Sequence, residues 1–271
     1  MPGKHLRITL IGSGNVATQM GLALRKAGYL MEEVYSRNAG SARALALKLR
    51  AKPVSSLHEL SGNADLFILA VKDDAVAPLI KKLALTNKAQ WENKLIVHTS
   101  GSLPIAVLGA VSADYGVLYP VQTLSKNKAV DFSRVPLCIE GNSKRTEKKL
   151  WVLAQSVSGN VQSLSSDQRR ILHLAAIFAS NFSNHMYTLA EKLLRKNKMS
   201  FDLILPLIRE TAEKVKSGSP SLMQTGPAIR KDKEIMKTHL KMLGKDKQMQ
   251  KLYSLISQSI LTNHVKPALK H

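Results

Sequence analysis

Apolar positions follow two different spacings in the first 164 residues of this chain of 271 residues. Short apolar runs, such as residues 7–11 and 65–71, are typical of strands buried on both faces of a sheet. The first run is followed by helical spacing, with apolar residues at Met20, Leu24 and Ala27. This alternation of strands and helices predicts a parallel α/β sheet. Further strands are predicted at residues 30–36, 53–54, 94–98, 116–119, 136–139 and 161–164.

Capping residues mark several helix starts in the same region. Ser56 and Glu59 have the spacing of a capping box, which predicts a brief helix over residues 56–59. Asp73 or Asp74 is a suitable cap for the helix after the strand at residues 65–71. Two more helices are predicted, at residues 41–49 and 147–155.

From residue 165 onward only helical spacing remains. Ser166 or Asp167 can cap a helix that reaches about Arg195. The middle of this helix is apolar on nearly every face, which predicts a buried central helix. The sequence therefore predicts two domains, an α/β domain over residues 1–164 and an all-α domain over residues 165–271. The other helices of the second domain are predicted at residues 201–215, 232–243 and 246–262.

A glycine turn, Gly-x-Gly-x-x-Ala, joins the first predicted strand to the first predicted helix. Gly12 permits the tight bend, Gly14 lets a pyrophosphate approach the backbone, and Ala17 keeps the helix close to the sheet. The helix start offers free N–H groups and a partial positive charge to a phosphate. The strand before the turn and the amphipathic helix after it favour a dinucleotide-binding, Rossmann-type domain over a plain βα turn. The predicted cofactor contacts of this turn are Gly12, Ser13, Gly14, Asn15 and Val16.

The second predicted strand ends at Ser36 and Arg37, where an NAD-binding domain usually carries an acidic residue for the ribose. A hydroxyl and a guanidinium suit a 2′-phosphate instead, so we predict NADP(H) as the cofactor. Glu33 lies within the strand, too early for the ribose position. The alternative is that Arg37 is an exposed arginine at a helix start.

Two more strand ends are expected at the same edge, where open parallel sheets bind ligands. Val71 and Lys72 are predicted to line the cofactor near its middle. Thr99, Ser100 and Gly101 are small enough to approach a nicotinamide ring or a substrate carboxylate. An ordinary loop is the alternative for this last segment.

Several polar side chains lie among the apolar residues of the predicted central helix. At 100° per residue, His173 and Asn184 lie about 20° apart, and Asn181 lies about 80° from His173, so all three can face one cleft. Histidine transfers protons near neutral pH, and asparagine orients a carbonyl or hydroxyl group. The alternative is a core histidine with a structural partner. Farther along, a Gly-Pro turn offers Thr225 and Arg230 to an anionic ligand.

Composition limits the remaining possibilities. The chain has 40 Lys and Arg against 19 Asp and Glu, a formal charge of +21. The excess is spread over both halves, which favours a solvated basic surface, with electrostatic attraction of anions or polyanions as the alternative. No zinc-finger or RNA-binding motif is present, so we expect no specific nucleic-acid binding. Metal-ligand spacings are absent too, and we expect no metal. The lone Cys138, together with the lack of a signal peptide and of long apolar runs, predicts a cytoplasmic protein without membrane attachment.

Six segments taken together resemble a known family. They resemble the Rossmann-like proteins labelled deazaflavin-dependent NADP oxidoreductases, which carry a C-terminal helical domain of unknown function and belong to the 6-phosphogluconate dehydrogenase-like superfamily. The resemblance spans nearly the whole chain. It implies an NADP(H)-binding oxidoreductase that closes its substrate site between two domains, and a homodimer formed through the helical part. The segments are residues 12–17, 35–37, 98–102, 119–123, 173–176 with Asn181, and 225–230.

The chain differs from its relatives at two positions of this pattern. Hydroxyacid dehydrogenases of the superfamily carry a catalytic lysine on the helix where this chain has His173. Many relatives have His-Pro where this chain has Tyr119 and Pro120. We expect His173 to be the acid/base, with Asn181 and Thr225 positioning the substrate. The predicted substrate contacts are Ser102, Tyr119, Gln122, Asn184, Gly226 and Arg230.

The expected function is therefore that of an NADP(H)-dependent oxidoreductase, which transfers hydride to or from a small, anionic substrate at the domain interface. Imine reduction of the pyrroline-5-carboxylate reductase kind is the nearest enzymatic alternative, because those enzymes share the two-domain plan. A non-catalytic NADP-binding or sensing module is a second hypothesis. A polyanion-binding protein, suggested by the charge of +21, is a third.

Overall fold

The computed structural model of the protein describes residues 6–86 and 88–263. Within these residues the strands form an eight-stranded sheet in the order β3-β2-β1-β4-β5-β6-β7-β8. The strands are β1 (Arg7–Ile11), β2 (Leu30–Tyr35), β3 (Lys52–Val54), β4 (Leu66–Leu69), β5 (Leu95–His98), β6 (Asp114–Pro120), β7 (Leu137–Gly141) and β8 (Val161–Ser163). The helices that accompany the sheet are α1 (Asn15–Lys26), α2 (Ala39–Leu49), α3 (Asp73–Thr86), α4 (Lys88–Trp91) and α5 (Lys144–Gln155).

Apolar side chains cover both faces of the sheet, as the continuous apolar runs predict. In β4, Leu66 and Ile68 join one buried cluster, whereas Phe67 and Leu69 join a second cluster on the opposite face. Successive side chains of a strand point to opposite faces, so a strand with a helical layer on each side must be apolar at every position. The predicted α/β fold class is confirmed.

Helix α1 ends where the sequence predicts. Gly28 follows its C-terminus with a φ of 98°. In addition, the Tyr29 N–H donates to the Leu24 carbonyl oxygen at 3.1 Å. Glycine adopts this left-handed conformation without steric cost and so closes the helix.

Two local expectations differ from the structure. Residues Leu57–Glu59 form a short 3₁₀ helix, but the Ser56 side chain makes no capping hydrogen bond, so the predicted capping box is not formed. The sheet is parallel except between β6 and β7, which are antiparallel. Parallel neighbours need a crossover connection, usually a helix, whereas β6 and β7 are joined by a loop that contains only a 3₁₀ turn at Phe132–Arg134.

The chain after β8 is helical, as predicted. One long helix runs through α6 (Ser166–Ala176), a π-helical segment (Ile177–Phe182) and α7 (Ser183–Lys196). A 3₁₀ turn (Phe201–Ile204) and three helices follow, which are α8 (Leu205–Ser217), α9 (Lys233–Met242) and α10 (Lys247–Asn263). Of the helices that the structure describes, none is long and apolar enough to cross a membrane.

The chain divides into two compact units, Met1–His185 and Met186–His271. The sheet ends at Ser163, and the first unit also includes α6 and the π-helical segment. The predicted domain boundary at residue 164 stays a prediction.

The long helix is not the buried central helix that its apolar middle predicts. Ile171 is 69% exposed and Phe178 is 62% exposed, and Leu174 and Phe182 are also exposed. An apolar face can be covered either by the same chain or by another molecule, and hydrophobic spacing does not distinguish the two. The prediction of burial is therefore wrong for the isolated chain.

Candidate active site

The glycine turn between β1 and α1 has the backbone that a phosphate requires. Gly12 has a φ of 120°, and a Cβ at this position would overlap the Ala70 carbonyl oxygen, so only glycine fits. A Cβ added to Gly14 would meet no atom within 4 Å, so its backbone faces open space. Helix α1 has neither a side-chain cap nor an acidic residue in its first turn. Its first N–H groups and its positive end are thus available to an anion.

A cleft of about 730 Å³ opens beside this turn. It is also lined by Ser36 and Arg37, and the Ser13 hydroxyl donates to Ser36 Oγ at 2.9 Å. The cleft brings together the predicted cofactor residues Gly12, Ser13, Gly14, Ser36, Arg37, Val71 and Lys72. The positively charged residues that line it are Arg37, Lys72, Lys82 and Lys126, and the negatively charged one is Asp74. Size, backbone and charge therefore fit a dinucleotide with an additional phosphate.

Two predicted cofactor residues of the turn face elsewhere. Asn15 Oδ1 accepts a hydrogen bond from the Lys126 N–H at 3.2 Å. Val16 is partly buried against the apolar cluster that contains Leu66 and Ile68. Their side chains thus hold neighbouring structure, and a cofactor contact from their backbone N–H groups stays a prediction.

A second group of predicted residues meets at the ends of β5 and β6. The Tyr119 hydroxyl and His173 Nδ1 share a hydrogen bond of 3.0 Å, with their rings edge to face. A Cβ added to Gly101 would lie 2.6 Å from His173 Nδ1 and 2.9 Å from Tyr119 Cζ. The structure therefore packs Gly101 against both partners, which explains a glycine at this position.

Tyr119 stays protonated over a wide pH range. Burial raises the pKa of its hydroxyl, and the positive charge of Arg169 opposes that effect only in part. A protonated phenol can donate its hydrogen to the Nδ1 of a neutral histidine, which leaves the histidine proton on Nε2. The hydrogen bond thus holds the ring in place in both protonation states, with Nδ1 as the acceptor when the imidazole is neutral and as the donor when it is protonated.

Arg169 organises the loop that follows β5, although no motif marks it in the sequence. Its side chain is 1% exposed, and Nη1 donates to the carbonyl oxygens of Ser100 and Leu103, both at 2.8 Å. Nη2 donates to Glu140 Oε2 at 3.0 Å. Arg169 lies one turn before His173 on α6, so one helix face holds this loop and presents the histidine.

His98, the last residue of β5, also holds the loop that follows this strand. It is fully buried, and its Nδ1 accepts a hydrogen bond from the Ser100 N–H at 3.2 Å. Burial, assisted by the charge of Arg169, lowers the pKa of His98 to about 4. The imidazole is therefore neutral at physiological pH and serves the backbone as an acceptor.

The polar residues beyond His173 are affected by the π-helical segment. A π-helical turn contains more residues than an α-helical one, so the 100° spacing used to relate His173, Asn181 and Asn184 does not hold across residues 177–182. Asn181 and Asn184 are exposed, and Ser180 shares a hydrogen bond of 2.9 Å with Thr123. The roles of Asn181 and Asn184 toward a substrate stay predictions. The role of Gln122 also stays a prediction, and its Oε1 accepts a hydrogen bond from the Thr123 N–H.

The predicted Gly-Pro turn lies in the second unit. Gly226 has a φ of 109°, and Thr225 and Arg230 are exposed while Ala228 is buried. Contacts of these residues with a substrate stay predictions. Among residues 6–86 and 88–263, no group of three or more His, Cys, Asp or Glu side chains is arranged to hold a metal ion.

Comparison with known proteins agrees with this arrangement. A Rossmann-like domain model matches residues 2–121, and the domain of unknown function DUF2520 matches residues 135–260. A Bacteroides fragilis protein, described as a "putative NADP oxidoreductase BF3122", is 44% identical, with 96% of this chain and 99% of that chain covered and a TM-score of 0.88. The chain belongs to the same family as that protein.

More distant structures of this family's fold extend the comparison. The protein TM1727 from Thermotoga maritima is 20% identical, with 93% of this chain and 96% of that chain covered and a TM-score of 0.69. An imine reductase from Myxococcus stipitatus in complex with NADP⁺ is 14% identical, with coverages of 94% and 92% and a TM-score of 0.62. These two share the fold. The curated proteins contain no match.

Proposed function

We propose that this member of the family is an NADP(H)-dependent oxidoreductase that acts on a small, anionic substrate. The observation that carries the proposal is the cleft beside the glycine turn, where Ser36 and Arg37 take the place of an acidic ribose ligand. The 44% identical relative that is described as an NADP oxidoreductase supports the same cofactor.

Different residues of the cleft are proposed to bind different parts of the cofactor. The N–H groups at the start of α1 bind the pyrophosphate next to Gly14, while Ser36 and Arg37 bind the 2′-phosphate. Thr99, Ser100 and Gly101 approach the nicotinamide end. The bound nicotinamide supplies or accepts the hydride, and the protein's share is orientation and proton transfer.

His173 is the proposed acid/base. Reduction of a C=O or C=N bond adds one proton to the oxygen or nitrogen atom, and a protonated histidine is a common donor of such a proton. Tyr119 positions the ring through the 3.0 Å hydrogen bond, in which the Nδ1–H of the protonated imidazole donates to the phenol oxygen, so that Nε2 can give its proton and leave a neutral ring. Arg230 and Thr225 are proposed to bind the anionic group of the substrate.

Thermal shift measurements with NADP⁺ and NAD⁺ test the cofactor. We expect NADP⁺ to stabilise the wild type more than NAD⁺ does, and Arg37→Ala to remove most of the difference, because the guanidinium pairs only with the 2′-phosphate. If NAD⁺ stabilises the wild type as well as NADP⁺, the assignment of the 2′-phosphate is wrong.

Loss of NADPH absorbance tests the reaction. Keto acids, the cyclic imine pyrroline-5-carboxylate and a deazaflavin acceptor cover the substrate classes considered. The imine is included because imine reductases share the fold. His173→Ala should lower kcat on the active class by about a hundredfold or more. His239→Ala is the matched control, because His239 Nδ1 shares a 2.9 Å hydrogen bond with Tyr253 in the second unit.

Two outcomes would redirect the proposal. Turnover that survives in His173→Ala removes His173 from the mechanism. Tight NADPH binding without hydride exchange to any of the acceptors supports the non-catalytic sensing module instead.

We also propose that the protein is a homodimer. The exposed apolar side chains of α6 and the π-helical segment, Ile171, Leu174, Phe178 and Phe182, form a surface that water solvates poorly. A second copy of the chain is the proposed cover, in agreement with the dimer that the resemblance implies. A cytoplasmic location is proposed for the same enzyme.

A further inference from the structure

Lys126 lies far along the sequence from the glycine turn, yet this residue lines the cleft beside that turn. It also borders a neighbouring cavity of about 110 Å³. The two cavities share Ser13 and Lys126 in their walls. A lysine from the loop after β6 has thus been brought beside a turn that follows β1.

Side chains of α1 hold this loop in place. Asn15 Oδ1 accepts from the Lys126 N–H at 3.2 Å. The Gln19 side-chain amide donates to the carbonyl oxygens of Ser125 at 2.6 Å and Lys128 at 2.9 Å, and Gln19 is 5% exposed. Helix α1 starts directly after the glycine turn, so these bonds fix the Lys126 backbone next to the turn.

The small cavity has the chemistry of an anion site. The residues that line it include Lys48, Lys126 and Ser41 as well as Ser13 and Thr18, whose hydroxyls donate to Ser36 Oγ and to the Gly14 carbonyl oxygen, and its lining includes no acidic residue. Within the described ranges, 6–86 and 88–263, neither lysine has a carboxylate within 4.0 Å. Two uncompensated cations favour a phosphate group over a neutral ligand.

Ser13 connects this cavity to the residues already assigned to the 2′-phosphate, because its hydroxyl donates to Ser36 Oγ. Building on the proposed function, we propose that Lys126 is a second cationic ligand of the NADP(H) 2′-phosphate, together with Arg37. An ammonium group at a dianion adds affinity for the phosphorylated cofactor alone. Lys126 is then a determinant of NADP over NAD specificity that is supplied by a distant loop.

Dissociation constants for NADPH and NADH, read from nicotinamide fluorescence, test this role without any turnover. Lys126→Met should raise the Kd of NADPH about tenfold and leave that of NADH within about twofold. Lys128→Met is the matched control, because Lys128 is an exposed lysine of the same loop that lines neither cavity. It should change neither constant.

Titration with 2′,5′-ADP and 5′-ADP separates the 2′-phosphate from the rest of the cofactor. Lys126→Met should weaken binding of 2′,5′-ADP only. An unchanged Kd for NADPH, or equal losses for NADPH and NADH, would overturn the role of Lys126 while leaving the proposed function intact. A wild-type protein that binds neither nucleotide would contradict the proposed function itself.

Discussion

Gly101 illustrates how one residue constrains the site. It lies at the carboxyl end of β5, and an added Cβ would come within 3.0 Å of both His173 and Tyr119. Real Cβ atoms do not approach so closely, so a larger residue must displace the pair. The hydrogen bond that positions the proposed acid/base therefore requires a residue without a side chain at position 101.

We predict that Gly101→Ala impairs turnover without unfolding the protein. Displacement of His173 should lower kcat by on the order of a hundredfold, as small misplacements of catalytic groups do. Because Gly101 is also proposed to approach the nicotinamide end of the cofactor, the Kd of NADPH is measured in parallel, and we expect kcat to fall by a larger factor than the Kd rises. Gly159→Ala is the control, since its Cβ would meet only the Ser133 carbonyl oxygen, at 3.4 Å. A full-rate Gly101→Ala enzyme would show that the pair does not require this geometry.

His98, which holds the loop after β5, makes the stability of the fold depend on pH. Its pKa is lowered to about 4 in the folded protein, so the folded state binds fewer protons than the unfolded state between pH 6.5 and pH 4. The stability that the neutral imidazole contributes is present above pH 6.5 and is lost as the pH falls through this window. Its size is up to about 3 kcal/mol, from the width of the shift.

We predict that His98→Asn flattens the acid limb of the stability curve. The asparagine keeps an acceptor for the Ser100 N–H but does not titrate. Urea unfolding at pH 7, 6, 5 and 4 should show a fall in the free energy of unfolding that is smaller for the variant than for wild type. Equal falls in both proteins would mean that His98 is not the titrating group.

At the scale of elements, α6 connects the sheet to the site. Arg169 reaches from α6 to the loop after β5 and to Glu140 at the end of β7. Glu140 in turn accepts from the N–H and the hydroxyl of Ser166 at the start of α6. One buried ion pair thus joins two strands and a helix, and it sets where His173 lies.

We predict that Glu140→Gln destabilises the fold by about 3 kcal/mol, because it leaves the buried Arg169 charge without its partner. The exposed pair of Arg145 with Asp114 is the control, and Arg145→Met should cost under about 1 kcal/mol. Urea unfolding measures both. At a temperature where the protein stays folded, Glu140→Gln should lower kcat more than it changes the Kd of NADPH. Equal costs for the two variants would contradict a structural role for the buried pair.

At the scale of the whole molecule, the long helix exposes four large apolar side chains along α6 and the π-helical segment, those of Ile171, Leu174, Phe178 and Phe182. The rings of Phe178 and Phe182 pack edge to face, 5.0 Å apart, and both are exposed. Large exposed apolar patches usually mark an interface. The positive charge of the chain opposes close association of two copies, so the proposed dimer requires an extensive apolar contact.

We predict that the wild type sediments as a dimer at micromolar concentration and that Phe178→Glu shifts it toward a monomer. A buried carboxylate in an apolar interface is costly to desolvate. Leu47→Glu is the control, because Leu47 is 81% exposed on α2, outside this surface. Analytical ultracentrifugation distinguishes the outcomes, and a monomeric wild type would contradict the dimer.

The sequence by itself determined the features that depend on neighbouring residues. The apolar runs predicted the strands, and the spacing of Gly12, Gly14 and Ala17 predicted the turn beside the cleft. Ser36 and Arg37 followed from their position after the second strand. Each of these signals is local, because strand periodicity, helix capping and turn conformation involve residues close together in the chain.

Only the tertiary structure decided which distant residues meet. Tyr119 pairs with His173 across 54 positions, and Arg169 reaches Ser100 across 69. Lys126 reaches the glycine turn because Asn15 and Gln19 hold its loop. A regular spacing of apolar residues also does not predict the antiparallel pairing of β6 with β7, the π-helical segment or the exposed face of the long helix. Contacts of this kind depend on how the elements pack, and no local pattern of residue types encodes them.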